Sequence, residues 1–82
     1  MDRGKDMLYY RVFKERINTI ENGQYSSYGL AAYTIDRYGI RCVCRVSDVS
    51  SDRAFMQRLA RDCTKGQLSA VHIYDVIVDR LS

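Results

Sequence analysis

Residues 20–47 read IENGQYSSYGLAAYTIDRYGIRCVCRVS, and this stretch decides the fold. Asn22-Gly23 near its start tolerates positive φ and suits a two-residue type I′ hairpin turn. Ahead of that turn, Leu8 to Ile20 is rich in β-branched and aromatic residues, and behind it a second strand runs from Gln24 to about Ile35. Asp36-Arg37-Tyr38-Gly39 is the next turn signal. Ile40, Cys42, Cys44 and Val46 then alternate with Arg41, Val43, Arg45 and Ser47, the period of a half-buried third strand.

A two-residue turn fixes the register. If Glu21 faces Gln24, then Val12 faces Tyr33 and Tyr10 faces Ile35; if Ile35 faces Ile40 across the second turn, Tyr33 meets Cys42 and Ala31 meets Cys44. These pairings place Leu8, Tyr10, Val12, Tyr33, Ile35, Ile40, Cys42, Cys44 and Val46 on one face, the expected core. Gly29 and Ala31 on that face are small enough for a helix to approach closely.

Two helices follow. Ser50-Ser51-Asp52 offers a hydroxyl N-cap and an acidic first turn, and Lys65-Gly66 a basic last turn with a C′ glycine. Between them Phe55, Met56, Leu59 and Cys63 share one side, while Arg58, Arg61 and Lys65 line the other. Ser69 is the expected cap of a second helix from Ala70 to about Leu81. Val71, Tyr74, Ile77, Val78 and Leu81 form a broad apolar arc on it, the pattern of a well-buried helix. The expected architecture is an α+β domain, a three-stranded antiparallel meander over residues 8–47 followed by two helices over residues 51–81, packed on one face.

The chain has 82 residues, enough for one hydrophobic core, with 46% apolar and 28% charged side chains. Only Met1 to Asp6 reads as a flexible tail. No stretch approaches the ~20 apolar residues that a membrane span needs, and the acidic, non-apolar N-terminus does not resemble a secretory signal. Three cysteines, an odd number set among apolar residues, read as reduced thiols in a cytoplasmic protein. A net charge of +3 permits an acidic partner without demanding one.

The candidate chemical motifs reduce to structural ones. Cys42, Cys44, Cys63 and His72 form a nominal zinc set, but residues two apart on one strand hold their side chains ~7 Å apart, too far for one tetrahedral ion. His72 and Asp75 lie one helical turn apart with no activated nucleophile beside them. Asp48-x-Ser50-x-Asp52 imitates a calcium loop but has Arg53 where glycine is required. Thr64-Lys65-Gly66 ends a helix, whereas a phosphate loop opens one. The chain is therefore expected to be no enzyme and to carry no metal or cofactor.

What remains is the outer face of the sheet, expected to display Tyr9, Arg11, Phe13, Glu15 and Ile17, then Tyr28, Leu30, Ala32 and Thr34, then Arg41, Val43 and Arg45. Its apolar area exceeds what contact with solvent requires. The candidate binding residues are Tyr9, Arg11, Phe13, Tyr28, Leu30, Arg41, Val43 and Arg45. Interleaved opposite charges suit self-association, as a homodimer, or a protein partner. The alternative is single-stranded nucleic acid, with tyrosines stacking on bases and arginines on phosphates.

The segment Gly66-Gln67-Leu68-Ser69-Ala70-Val71-His72-Ile73-Tyr74-Asp75-Val76-Ile77, preceded by Val46-Ser47-Asp48-Val49-Ser50, resembles a family of small uncharacterised proteins from clostridial Firmicutes, a domain of unknown function. The resemblance covers roughly the last 40 residues, and the Tyr28-Gly29 region more weakly. It implies a bacterial cytosolic protein with a strand-rich N-terminal half. It transfers no activity, cofactor or catalytic residue. It does place Gln67, Ser69, His72 and Asp75 in a family motif, which capping and contacts with a neighbouring strand explain without chemistry.

Overall fold

The computed structural model of the chain describes residues 7–81. The tail expected over Met1 to Asp6 lies outside the described residues. Three strands, β1 (Met7–Thr19), β2 (Gly23–Asp36) and β3 (Gly39–Ser50), form an antiparallel sheet in the order β1-β2-β3. Helix α1 (Arg53–Lys65) follows, then a 3₁₀ turn (Ala70–His72) that runs directly into α2 (Ile73–Leu81). The expected meander with two helices on one face is the observed architecture.

The hairpin register differs from the expectation. Thr19 pairs with Gly23, so the loop is Ile20-Glu21-Asn22, closed by Gly23 at φ 67°. A three-residue loop ending in a left-handed glycine is the next most common hairpin connection. Here the Asn22 N–H donates to Thr19 Oγ1, which favours it. Gln24 consequently faces Asn18 rather than Glu21, a slip of three residues. An odd slip turns every β2 side chain to the opposite face. Tyr10 therefore pairs with Ala32 and Val12 with Leu30.

Across the second turn Ile35 pairs with Ile40 and Tyr33 with Cys42 as expected, but on the outer face. Ala32 pairs with Cys44, which leaves Val43 as an extra residue in a bulge. That bulge returns Cys44 and Val46 to the helix side. The core there joins Tyr10, Leu30 and Ala32 to Met56, Leu59, Ala60, Cys63, Ile73 and Ile77, with Leu8, Val12, Cys44 and Val46 packed against it. Tyr33, Ile35, Ile40 and Cys42 do not belong to it.

Asp52, not a serine hydroxyl, caps α1: its Oδ1 accepts the Phe55 N–H at 3.1 Å, while Ser50 Oγ accepts the Asp52 N–H. At the other end Gly66 is right-handed and Gln67 carries the positive φ, 49°. The Leu68 N–H donates to the Cys63 carbonyl and the Gln67 N–H to the Thr64 carbonyl, a Schellman closure with glutamine in the glycine position. The reason is what the Gln67 side chain does next. Its Oε1 accepts the Leu8 N–H at 2.9 Å and its Nε2 donates to the Leu8 carbonyl at 3.0 Å, as a further strand would. Beside it Thr64 Oγ1 accepts the Tyr10 N–H, and Tyr10 OH donates to the Leu68 carbonyl at 2.6 Å. Burial pushes the Tyr10 phenol up to about 12.

The second helix is less buried than its arc implies. Ile73 and Ile77 are buried, whereas Val71, Tyr74, Val78 and Leu81 are exposed. The Ser69 hydroxyl makes no capping bond; the His72 N–H donates to the Ser69 carbonyl instead.

A left-handed residue with a Cβ costs about 1–2 kcal/mol. Gln67→Ala loses the grip on Leu8 and keeps that cost, whereas Gln67→Gly loses the grip and relieves it. Gln67→Gly should therefore be the more stable of the two by about 1 kcal/mol in urea unfolding, and equal midpoints would contradict a strained position held by its side chain.

Candidate binding face

The outer face is built in cross-strand rows, because paired residues point to the same side of a sheet. Met7, Ile35 and Ile40 form one row, Tyr9, Tyr33 and Cys42 the next, and Arg11, Ala31 and Arg45 the third. In the fourth, Phe13 faces Gly29. A Cβ on Gly29 would run into the Phe13 ring and lie 2.5 Å from the Val46 carbonyl oxygen, so glycine there lets the ring lie flat across the strand. The Arg45 guanidinium then stacks 4.1 Å from the ring centroid, a cation–π contact.

Between these side chains runs a groove of about 620 Å³, lined by Tyr9, Arg11 and Phe13 from β1 and by Tyr33, Ile35 and Ile40 from β2 and β3, above Ala31. Its apolar rim is open: Met7 is 50%, Tyr9 37%, Ile35 45% and Ile40 68% exposed. Arg11 has no ion pair among the described residues.

Beyond Phe13 the same face turns polar. A second irregularity in β3 lies between the Leu30–Val46 and Tyr28–Ser50 pairs, with Asp48 at φ 53°. Ser27 Oγ and Tyr25 OH each donate to Asp48 at 2.7 Å. Glu15 accepts from the Ser47 hydroxyl and from the Asp48 N–H. The Ser27 and Tyr25 hydroxyls hold the Asp48 carboxyl below its ordinary 3.8. The Asp48 carboxylate in turn pushes the Tyr25 phenol up. Ser27 is buried and its hydroxyl is spent on Asp48, so this cluster anchors the irregular stretch of β3 and offers no nucleophile with a base.

Of the residues assigned to this face from sequence, Tyr9, Arg11, Phe13, Glu15, Ile17 and Arg45 lie on it. Tyr28 and Leu30 do not: the register slip turns them to the helix side, where Leu30 is fully buried and Tyr28 packs against the core. Ala32 and Thr34 turn with them. Arg41 pairs with Thr34 on that same side and forms a 3.2 Å ion pair with Asp36. Val43 is the exposed bulge residue. Met7, Tyr33, Ile35 and Ile40 are the members that sequence reasoning missed. The available signal is Gly29: an aromatic residue that lies flat needs a glycine opposite it, and Phe13 is the ring that fits.

The bulge also separates the cysteines. Cys42 is exposed beside Tyr33, Cys44 is half-buried on the helix side, and Cys63 is buried in α1, where burial pushes its thiol up. Among the described residues no group of three potential metal ligands converges, and no helix is long and apolar enough to cross a membrane.

Fold and face together define an α+β domain with helices on one side of its sheet and an apolar groove on the other. The chain belongs to a family of unknown function (DUF6514), which it matches over residues 1–82. No curated protein and no solved structure matches it.

Two outcomes follow from this geometry. Gly29→Ala should cost about 1–3 kcal/mol, and adding Phe13→Leu should restore only part of it, because the Val46 carbonyl is fixed backbone. Asp48 has a depressed folded pKa, so its contribution is present above pH 3.8 and lost as pH falls through the lower folded value. The stability gap between the wild type and Asp48→Asn, read by denaturant unfolding from pH 7 to pH 2, should narrow only below that point.

Proposed function

We propose that this protein is a non-enzymatic interaction module that self-associates through the outer face of its sheet, with a homodimer as its smallest product, in the cytoplasm of a clostridial bacterium. The observation that carries the reading is the row Met7, Ile35 and Ile40 with Tyr9 beside it, large apolar side chains left open around a groove of about 620 Å³. Isolated exposed apolar residues are ordinary, whereas a contiguous set that lines a concavity marks a contact surface. The flat-lying Phe13 and the floor at Ala31 make the groove preformed, which lowers the ordering cost of binding. Unpaired thiols at Cys42, Cys44 and Cys63 support a reducing compartment.

Single-stranded nucleic acid on the same face has less support. Arg41 is ion-paired on the helix side and Arg45 is stacked on Phe13, which leaves Arg11, while Glu15 adds negative charge. A strand of phosphates draws its affinity from several cations at once.

Ile40 is 68% exposed, so Ile40→Asp should leave the fold intact while placing a carboxylate in the contact. In sedimentation equilibrium the wild type should exceed the mass of one chain and the variant should not. An unchanged mass in a folded variant would sink the proposal.

A further inference from the structure

The groove has a counterpart on the opposite side of the molecule. Val71, Tyr74, Val78 and Leu81 recur at i, i+3, i+7 and i+10 and are 78%, 60%, 64% and 51% exposed, although Ile73 and Ile77 of the same segment are buried. At about 100° per residue Tyr74, Val78 and Leu81 of α2 fall within one stripe, which Val71 of the preceding 3₁₀ turn extends, and Asp75 and Asp79 line its solvent margin. Neither aspartate makes an ion pair or a side-chain hydrogen bond among the described residues. Of the other described carboxylates, Glu15, Asp36, Asp48, Asp52 and Asp62 are engaged, while Glu21 in the first hairpin loop makes no ion pair or side-chain hydrogen bond among the described residues. The chain thus carries an apolar stripe with an acidic margin and an apolar groove bordered by Arg11.

The dimensions agree. Three strands span about 10 Å, the width of one helix with its side chains. The groove from Tyr9 to Phe13 runs about 13 Å at 3.3 Å per residue, and the stripe from Val71 to Leu81 about 15 Å at 1.5 Å per residue. A stripe pairing with its own copy by an antiparallel two-fold would bring the two acidic margins together, which like charges oppose.

We infer that the occupant of the outer-face groove is the 3₁₀ turn and helix α2 of a second copy, with Val71, Tyr74, Val78 and Leu81 in the groove and the Asp75 and Asp79 margin against Arg11. The inference rests on the self-association reading and specifies its geometry. Because α2 packs on the helix side of its own sheet, the contact is not returned within a pair. One groove and one α2 stay free, and association continues beyond two chains.

Two exposed positions test this. Tyr74→Asp disables the stripe and Ile40→Asp the groove, and circular dichroism confirms that each folds. At concentrations where the wild type grows past two chains in sedimentation velocity, each variant alone should be a monomer. An equimolar mixture should form a complex of two chains that stops there, since only one competent groove and one competent stripe remain, and it should associate at least tenfold more tightly than either variant does with itself. Tyr74→Asp that assembles like the wild type overturns the inference and leaves the sheet face as a self-association surface. A monomeric mixture overturns the inference as well. Ile40→Asp that assembles like the wild type, or a wild type that stays monomeric, overturns both the inference and the reading beneath it. A charge exchange checks the margin independently: Arg11→Asp should weaken assembly, and adding Asp75→Arg and Asp79→Arg should recover it, whereas no recovery overturns the proposed contact.

Discussion

Leu30, Ala31 and Ala32 are consecutive on the central strand and each is 1% exposed. Successive side chains of a strand point to opposite faces, so β2 is covered on both sides, and the rest of the structure depends on how each side is covered. Towards the helices Leu30 and Ala32 meet Met56, Leu59, Ile73 and Ile77. Away from them the described residues supply no helix. Ala31 and Gly29 are covered by the sheet's own long side chains, Phe13 across Gly29 and Arg45 across Phe13. Small residues on the outer side of β2 thus let one strand be central while a single helical layer is present.

The helical layer is attached to the sheet by more than apolar contact. The end of α1 grips the free edge of β1 through Gln67 on both backbone groups of Leu8 and Thr64 on the Tyr10 N–H. An open edge is a template for unwanted pairing, and a side-chain amide that imitates a strand closes it at little cost in chain length. Placing Gln67 there requires the left-handed conformation that glycine usually supplies, so strain at φ 49° is exchanged for two long-range hydrogen bonds.

Most of the architecture is legible in the sequence, and the part that is not traces to one turn. The alternation of β1 assigns Leu8, Tyr10 and Val12 to the core and Tyr9, Arg11 and Phe13 to the outside, as observed. The apolar side of α1 and its basic last turn at Lys65 read directly, whereas its cap is Asp52 rather than the expected serine hydroxyl. The faces of β2 do not. Tyr28-Gly29-Leu30-Ala31-Ala32-Tyr33 carries apolar or small residues at both parities, so the hydrophobic pattern cannot choose between registers and the turn decides alone. Asn-Gly favours a two-residue turn as a dipeptide, but here the same glycine closes a three-residue loop in which the Asn22 N–H donates to Thr19 Oγ1. The Val43 bulge is silent for a similar reason: both Cys42 and Cys44 are acceptable in a core. Three of the eight candidate residues, Tyr28, Leu30 and Arg41, consequently lie on the helix side. Helix α2 was misjudged because an arc of apolar residues records how many are apolar, not how many find a surface to cover them.

That last point bears on function. A three-stranded sheet has two faces, and this chain supplies helix for one of them. The outer face near Phe13 is closed by its own side chains and by the Glu15, Ser27 and Asp48 bonds, but from Ala31 towards Met7 it is made of Tyr9, Tyr33 and Cys42 and of Met7, Ile35 and Ile40. α2 stands in the reverse position, an amphipathic helix of nine residues with buried isoleucines on one side and exposed apolar residues on another. A single copy has no route from one to the other, because the sheet lies between them. One surface lacks a helix and the other is a helix that lacks a surface, and Arg11 on the first opposes Asp75 and Asp79 on the second in charge. In the proposed contact, burial of both together removes apolar area on each side without any new element of structure.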